Sequence, residues 1–160
     1  MKAVIDSSTL ISLAKIDALW VFGKMDCEIV CPKEVYDECV TQGALGGKVD
    51  SIVIKRLFDE KTVSAINVSV RQTFSGLSSV DCMVISLALQ EKAALVFAND
   101  TKLSRRIALA GLDSRGSPDI LLRMRYKGLL GAERYISLIM ELGAKMRLSA
   151  KNVIKYLEVE

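Results

Sequence analysis

The chain has 160 residues, about half of them hydrophobic, a net charge of +3 and no histidine. That length suits one domain with an ordinary core. No apolar run approaches the ~20 residues of a membrane span, and Met1-Lys2 enters an apolar segment without a signal-peptide pattern, so a cytoplasmic protein is expected. The absence of histidine removes the most usual general base of hydrolytic enzymes.

In chain order, residues 2–5 read as a buried strand, and Ser7-Ser8-Thr9 starts a helix through Leu10, Leu13 and Ala14. A second short strand is expected at 28–31. Pro32-Lys33 leads into a helix, since proline is tolerated in a first turn. Gly43, Gly46 and Gly47 are expected to break that helix. Residues 48–58 look helical and 62–70 extended. A Ser-rich loop enters a helix at 79–91, and 94–98 is an all-apolar strand of the kind found inside a parallel sheet. A helix over 101–110, a strand at 112–115 and helices at 117–127, 131–142 and 150–157 follow. Gly128 and Gly143 are taken as the stops of the first two of those last helices. Alternating strands and helices predict an α/β fold of four or five mainly parallel strands.

Four acids stand where such a fold could bring them together. Asp6 follows the first strand, Asp100 follows the 94–98 strand, Asp81 opens the 79–91 helix, and Glu38 lies on the helix after Pro32. In parallel sheets, sites form beyond the carboxyl ends of the strands. Each acid also has a purely structural reading. Asp6 and Asp100 could cap the helices they precede, and Asp81 could complete a capping box with Ser78. Glu38 could be one solvated charge beside Glu34 and Asp37. Helical periodicity puts Asp37 and Glu38 at the margins of the apolar face and Glu34 on the outside.

Converging carboxylates raise one another's pKa, and a divalent cation relieves that repulsion. An all-oxygen donor set favours Mg²⁺ or Mn²⁺ over zinc. Such a centre can hydrolyse phosphodiesters without histidine. Charge is also uneven along the chain. Residues 1–100 carry 10 Lys/Arg against 13 Asp/Glu, and residues 101–160 carry 12 against 6. The basic second part suits a polyanionic partner. The cysteines at 27, 31, 39 and 82 form no paired metal framework and read as reduced thiols.

The ordered set of motifs resembles the PIN-domain family, which includes the VapC-type toxin ribonucleases. The matching segments are Val4-Ile-Asp6-Ser-Ser8-x-Leu10, Pro32-x-x-Val35-Tyr-x-Glu38, Leu77-Ser-x-x-Asp81 and Ala98-Asn99-Asp100-x-x-Leu103. The Ser114-Arg-Gly116-Ser and Lys127-Gly128-Leu129 segments resemble the tail of an archaeal and bacterial subgroup. The resemblance implies a three-layer α/β/α PIN-like fold and selects Glu38 over Asp37. It implies a Mg²⁺- or Mn²⁺-dependent ribonuclease, with Asp6, Glu38, Asp81 and Asp100 catalytic and Asp6, Asp81 and Asp100 on the metal. Ser8 and Asn99 would support the site. The family's further acid after the last Asp is missing here, and Lys102, Arg105 and Arg106 could contact RNA phosphates instead. A small antitoxin covering the site is an expected partner. A homodimer is expected too, because apolar positions recur along 120–142 beyond what one sheet face needs. Two rivals remain: a non-catalytic PIN-fold RNA- or protein-binding module, and a haloacid dehalogenase-type phosphatase. The latter needs a second Asp where Ser8 stands.

Overall fold

The computed structural model describes residues 1–159. Five strands form one parallel sheet in the order β3-β2-β1-β4-β5. They are β1 (Lys2–Ile5), β2 (Glu28–Pro32), β3 (Val63–Ile66), β4 (Leu95–Phe97) and β5 (Ser114–Arg115). The central strand β1 is buried from Ala3 to Ile5, and β4 is buried at Val96 and Phe97. Such continuous apolar runs are what a strand covered on both faces requires. Chain order reverses on either side of β1, so the crevice beyond β1 and β4 is the topological switch point of the sheet.

The helices are α1 (Ser7–Lys15), α2 (Lys33–Tyr36), α3 (Gly43–Leu45), α4 (Asp50–Asp59), α5 (Ser79–Gln90), α6 (Thr101–Leu109), α7 (Ser117–Tyr126), α8 (Ala132–Met146) and α9 (Ala150–Leu157). A π-helical stretch, Asp37–Gln42, joins α2 to α3 without a break. A 3-10 turn at Leu19–Lys24, not anticipated from the sequence, links α1 to β2. Helix α5 packs on β1 and β2, while α1 gathers α4, α7 and α8, giving the three-layer α/β/α arrangement.

Two glycines do not stop helices as expected. Gly43 keeps helical angles (φ −60°, ψ −44°), and a Cβ there would lie 3.0 Å from the Cβ of Ser51. Its role is close approach of α4, and the chain turns instead at Gly47 with φ +68°. Gly143 sits inside α8, which runs on to Met146. A Cβ at 143 would come 2.7 Å from Val153 Cγ2, so this glycine lets α9 lie against α8. Composition marks both residues as breakers, while long-range packing uses them as spacers.

Of the apolar positions along 120–142, Ile120, Leu121, Met124, Leu130, Leu138 and Ile139 are buried in the core. Leu129, Ile136 and Met140 are exposed at 46%, 47% and 54%. Cys31, Cys39 and Cys82 are buried and all four cysteines are free thiols. No helix among the described residues is long and apolar enough to cross a membrane.

Candidate functional site

Asp6 leaves β1 and caps α1. Its Oδ1 accepts the Thr9 amide at 2.8 Å and its Oδ2 accepts the Ser8 hydroxyl at 2.7 Å. The carboxylate is 3% exposed, and burial pushes its pKa up to about 6. The Ser8 and Thr9 hydrogen bonds oppose that rise, and the charge of Asp81 adds to it. Asp6 is therefore both a helix cap and a carboxylate held out of water close to another.

Asp81 stands in the first turn of α5, whose N-cap is Ser78; the Ser78 hydroxyl accepts the Asp81 amide at 3.1 Å. The Asp81 side chain lines a cleft of about 560 Å³ shared with Ser7, Glu34, Asp37, Glu38 and Ser78. Glu38 is exposed within the π-helical stretch, and its Oε2 accepts the Ser7 hydroxyl at 3.1 Å. Asp6 is not among the cleft-lining residues, but it directly precedes Ser7, which is, and its carboxylate feels the charge of Asp81. The Cys39 thiol, pushed up to about 12 mainly by burial, is raised further by both Glu38 and Asp6.

Glu34 is not on the outside. Its side chain is 28% exposed, and it accepts a hydrogen bond from Arg71 Nη2 at 3.3 Å. Its Oε2 is buried with no partner. Periodicity identifies the one face of a helix that meets the sheet; it cannot foresee that Arg71 of the 67–78 loop reaches Glu34.

Asp100 lies beyond the neighbouring strand. The Asp6 amide donates to the Phe97 carbonyl at 3.0 Å, fixing the ends of β1 and β4 side by side. Asp100 caps α6 through Oδ1, which accepts the Leu103 amide at 2.8 Å, and the residue is exposed. It shares the sheet edge with Asp6 but is not part of the wall holding Glu38 and Asp81. Asn99 ties this edge together: its Nδ2 donates to the Ser8 carbonyl, Ser12 Oγ and Ser117 Oγ, and its Oδ1 accepts the Ser117 amide at 2.7 Å. Lys102 and Arg105 are exposed on α6, while the Arg106 guanidinium sits 4.6 Å above the Phe74 ring.

The donor set is all oxygen, and Asp6 bears the cost of burial beside a like charge, which a dication would relieve. The residues fit a hard divalent cation in donor chemistry. Among the described residues no group of three or more acids or cysteines is already arranged to hold a metal. Asp6, Asp81 and Asp100 are the residues that would hold it.

A second cavity of about 440 Å³, between β4, β5 and α7, is mostly apolar and contains none of the four acids.

Residues 2–159 match a family model described as a PIN domain (DUF3368), and the chain belongs to this family. Proteins of the family are generally nucleases. Among solved structures, a PilT N-terminus domain protein, SSO1118, from Sulfolobus solfataricus is similar at 17% identity, with a TM-score of 0.57 over 77% of this chain and 92% of that one. A domain of a protein from Methanocaldococcus jannaschii is similar at 18% identity, with a TM-score of 0.51 over 72% and 89% of the two chains. At such identities the likeness speaks for the fold alone. No curated protein matches the sequence significantly.

Sequence inspection missed Ser7, Glu34 and Arg71. Ser7 carried a usable signal, because a hydroxyl directly after a strand-end acid faces the same edge. Arg71 had none, because its partner is 37 positions away in sequence.

Proposed function

We propose that the protein is a metal-dependent endoribonuclease that hydrolyses phosphodiester bonds of single-stranded RNA. The observation that carries this reading is the juxtaposition of Glu38 and Asp81 in one cleft, with the buried Asp6 close enough to feel the charge of Asp81, at the switch point of a parallel sheet. Asp6, Asp81 and Asp100 would hold the cation. Bound Mg²⁺ or Mn²⁺ supplies Lewis acidity toward water and toward the phosphate oxygens. Glu38 takes the proton from the attacking water at its carboxylate, which the Ser7 hydroxyl holds in place through Oε2. Ser8 fixes Oδ2 of Asp6, and Asn99 locks the strand end that bears Asp100. Lys102, Arg105 and Arg106 on α6 run from Asp100 and offer cations to the RNA backbone.

A toxin held by a small antitoxin is the proposed cellular role, and the cytoplasm the proposed location. A homodimer is proposed on the exposed Leu129, Ile136 and Met140. The test is cleavage of a labelled single-stranded RNA by purified protein in Mg²⁺, in Mn²⁺ and in excess chelator. Cleavage in either metal and none in chelator supports the reading. Full cleavage in chelator removes the metal from it, and no cleavage under any condition leaves a PIN-fold binding module.

A further inference from the structure

A polyanion entering this cleft meets Glu34, Asp37, Glu38 and Asp81 on its wall, with no lysine or arginine among the cleft-lining residues. Phosphate needs a cation at the rim. The 67–78 loop between β3 and α5 supplies one: Arg71, 63% exposed along its side chain, reaches Glu34 through a single hydrogen bond of 3.3 Å. The remainder of the loop is anchored elsewhere. The Ser69 amide donates to Gln90 Oε1, the Gln72 amide to Ser86 Oγ, and Phe74 lies under Arg106. Arg71 is thus flanked by two anchored amides and loosely held at its head.

We propose that Arg71 is a substrate-positioning residue that exchanges Glu34 for an RNA phosphate next to the acidic cleft; this rests on the ribonuclease reading above. The exchange is inexpensive in free energy. An exposed ion pair with one long hydrogen bond is weakly held. A phosphate offers the guanidinium two parallel charge-assisted hydrogen bonds in its place. Glu34 then restrains Arg71 when no RNA is bound. Its carboxylate, with one oxygen already buried and unpartnered, competes with phosphate for the guanidinium and so lowers the affinity for polyanions.

The proposal predicts opposite effects from two changes at one contact. Arg71→Ala should raise KM for a single-stranded oligoribonucleotide roughly ten-fold, with the smaller part of the loss in kcat. Binding of the uncut RNA in chelator, followed by fluorescence anisotropy, should weaken similarly. The slope of log Kd against log salt should shrink by about 0.7, the value for one lost phosphate contact on a single strand. Arg71→Lys should recover only part of the affinity, because an ammonium cannot make the paired contact. Glu34→Gln should bind RNA more tightly than wild type, a gain that a misfolded variant would not show. Unchanged KM and salt slope in Arg71→Ala, in a wild type that cleaves RNA, would overturn this proposal and leave the nuclease reading intact. A wild type that neither binds nor cleaves RNA would overturn both.

Discussion

The backbone amide of Asp6 donates to the carbonyl of Phe97 at 3.0 Å, one residue beyond the point where Ile5 pairs with Phe97. This one bond sets the relation between the acid that ends β1 and the acid that follows β4. It holds Asp6 and Asp100 at the same edge of the sheet, while α5 and the π-helical stretch bring Asp81 and Glu38 over it.

The buried Asp6 makes stability depend on pH with a definite sign. Its carboxyl titrates at about 6 when folded, against an ordinary value of 3.8. Well below the lower value it is protonated in both states and contributes no difference. As pH rises through this window, the unfolded chain ionises first, so folding stability falls, and above about 6 the full cost is present. That cost is on the order of 3 kcal/mol. Asp6→Asn should therefore raise the melting temperature at pH 7 in chelator and flatten this part of the stability–pH profile, as followed by thermal denaturation.

The same group links cation binding to protons. A cation binds the ionised carboxylate, so its affinity should increase by up to about ten-fold per pH unit below the Asp6 pKa and level off above it. Calorimetric titration with Mn²⁺ at pH 5 to pH 8 should show proton release at the acid end and little at the basic end. Affinity independent of pH across that range would separate Asp6 from the cation.

Asp100 is exposed and caps α6 through one oxygen. Asp100→Asn keeps an acceptor for the Leu103 amide, since asparagine caps helices as well as aspartate does. Stability should change by less than about 1 kcal/mol, while cleavage should drop at least a hundred-fold, a loss of roughly 3 kcal/mol in the barrier. Denaturant melts and single-turnover cleavage check the two halves separately.

Gly143→Ala should destabilise the fold by about 1 kcal/mol, because the clash with Val153 outweighs the better helix propensity of alanine. Adding Val153→Ala should recover part of the clash cost of the first change, which paired urea melts would show.

The strands at the centre of the sheet were readable from the chain because a strand buried on both faces must be apolar throughout. Val4-Ile5 and Val96-Phe97 are such runs, and both are fully or almost fully buried. The resemblance to PIN domains was readable because its motifs are local and keep their order. Tertiary spacing was hidden. Gly43 and Gly143 look like stops in any local reading and are spacers for Ser51 and Val153. The covering of Glu34 by Arg71 depends on the path of a loop, and no periodicity encodes that. The sequence placed Asp6 and Asp100 beyond strand ends, Asp81 at a helix start and Glu38 on the helix after Pro32, but not their unequal exposure, with Asp6 buried and Glu38 and Asp100 exposed.

In the proposed ribonuclease, Asp6, Glu38, Asp81 and Asp100 act as one metal-assisted site on RNA. Its most direct test compares wild type with Asp6→Asn, Glu38→Gln, Asp81→Asn and Asp100→Asn. All five are assayed on one labelled single-stranded RNA in Mn²⁺, after each variant is shown to be folded by circular dichroism. Metal-dependent cleavage by wild type and losses of at least about a hundred-fold in every variant are expected. Wild-type rates in any folded variant would contradict that residue's place in the site, and wild-type rates in all four would contradict the site itself.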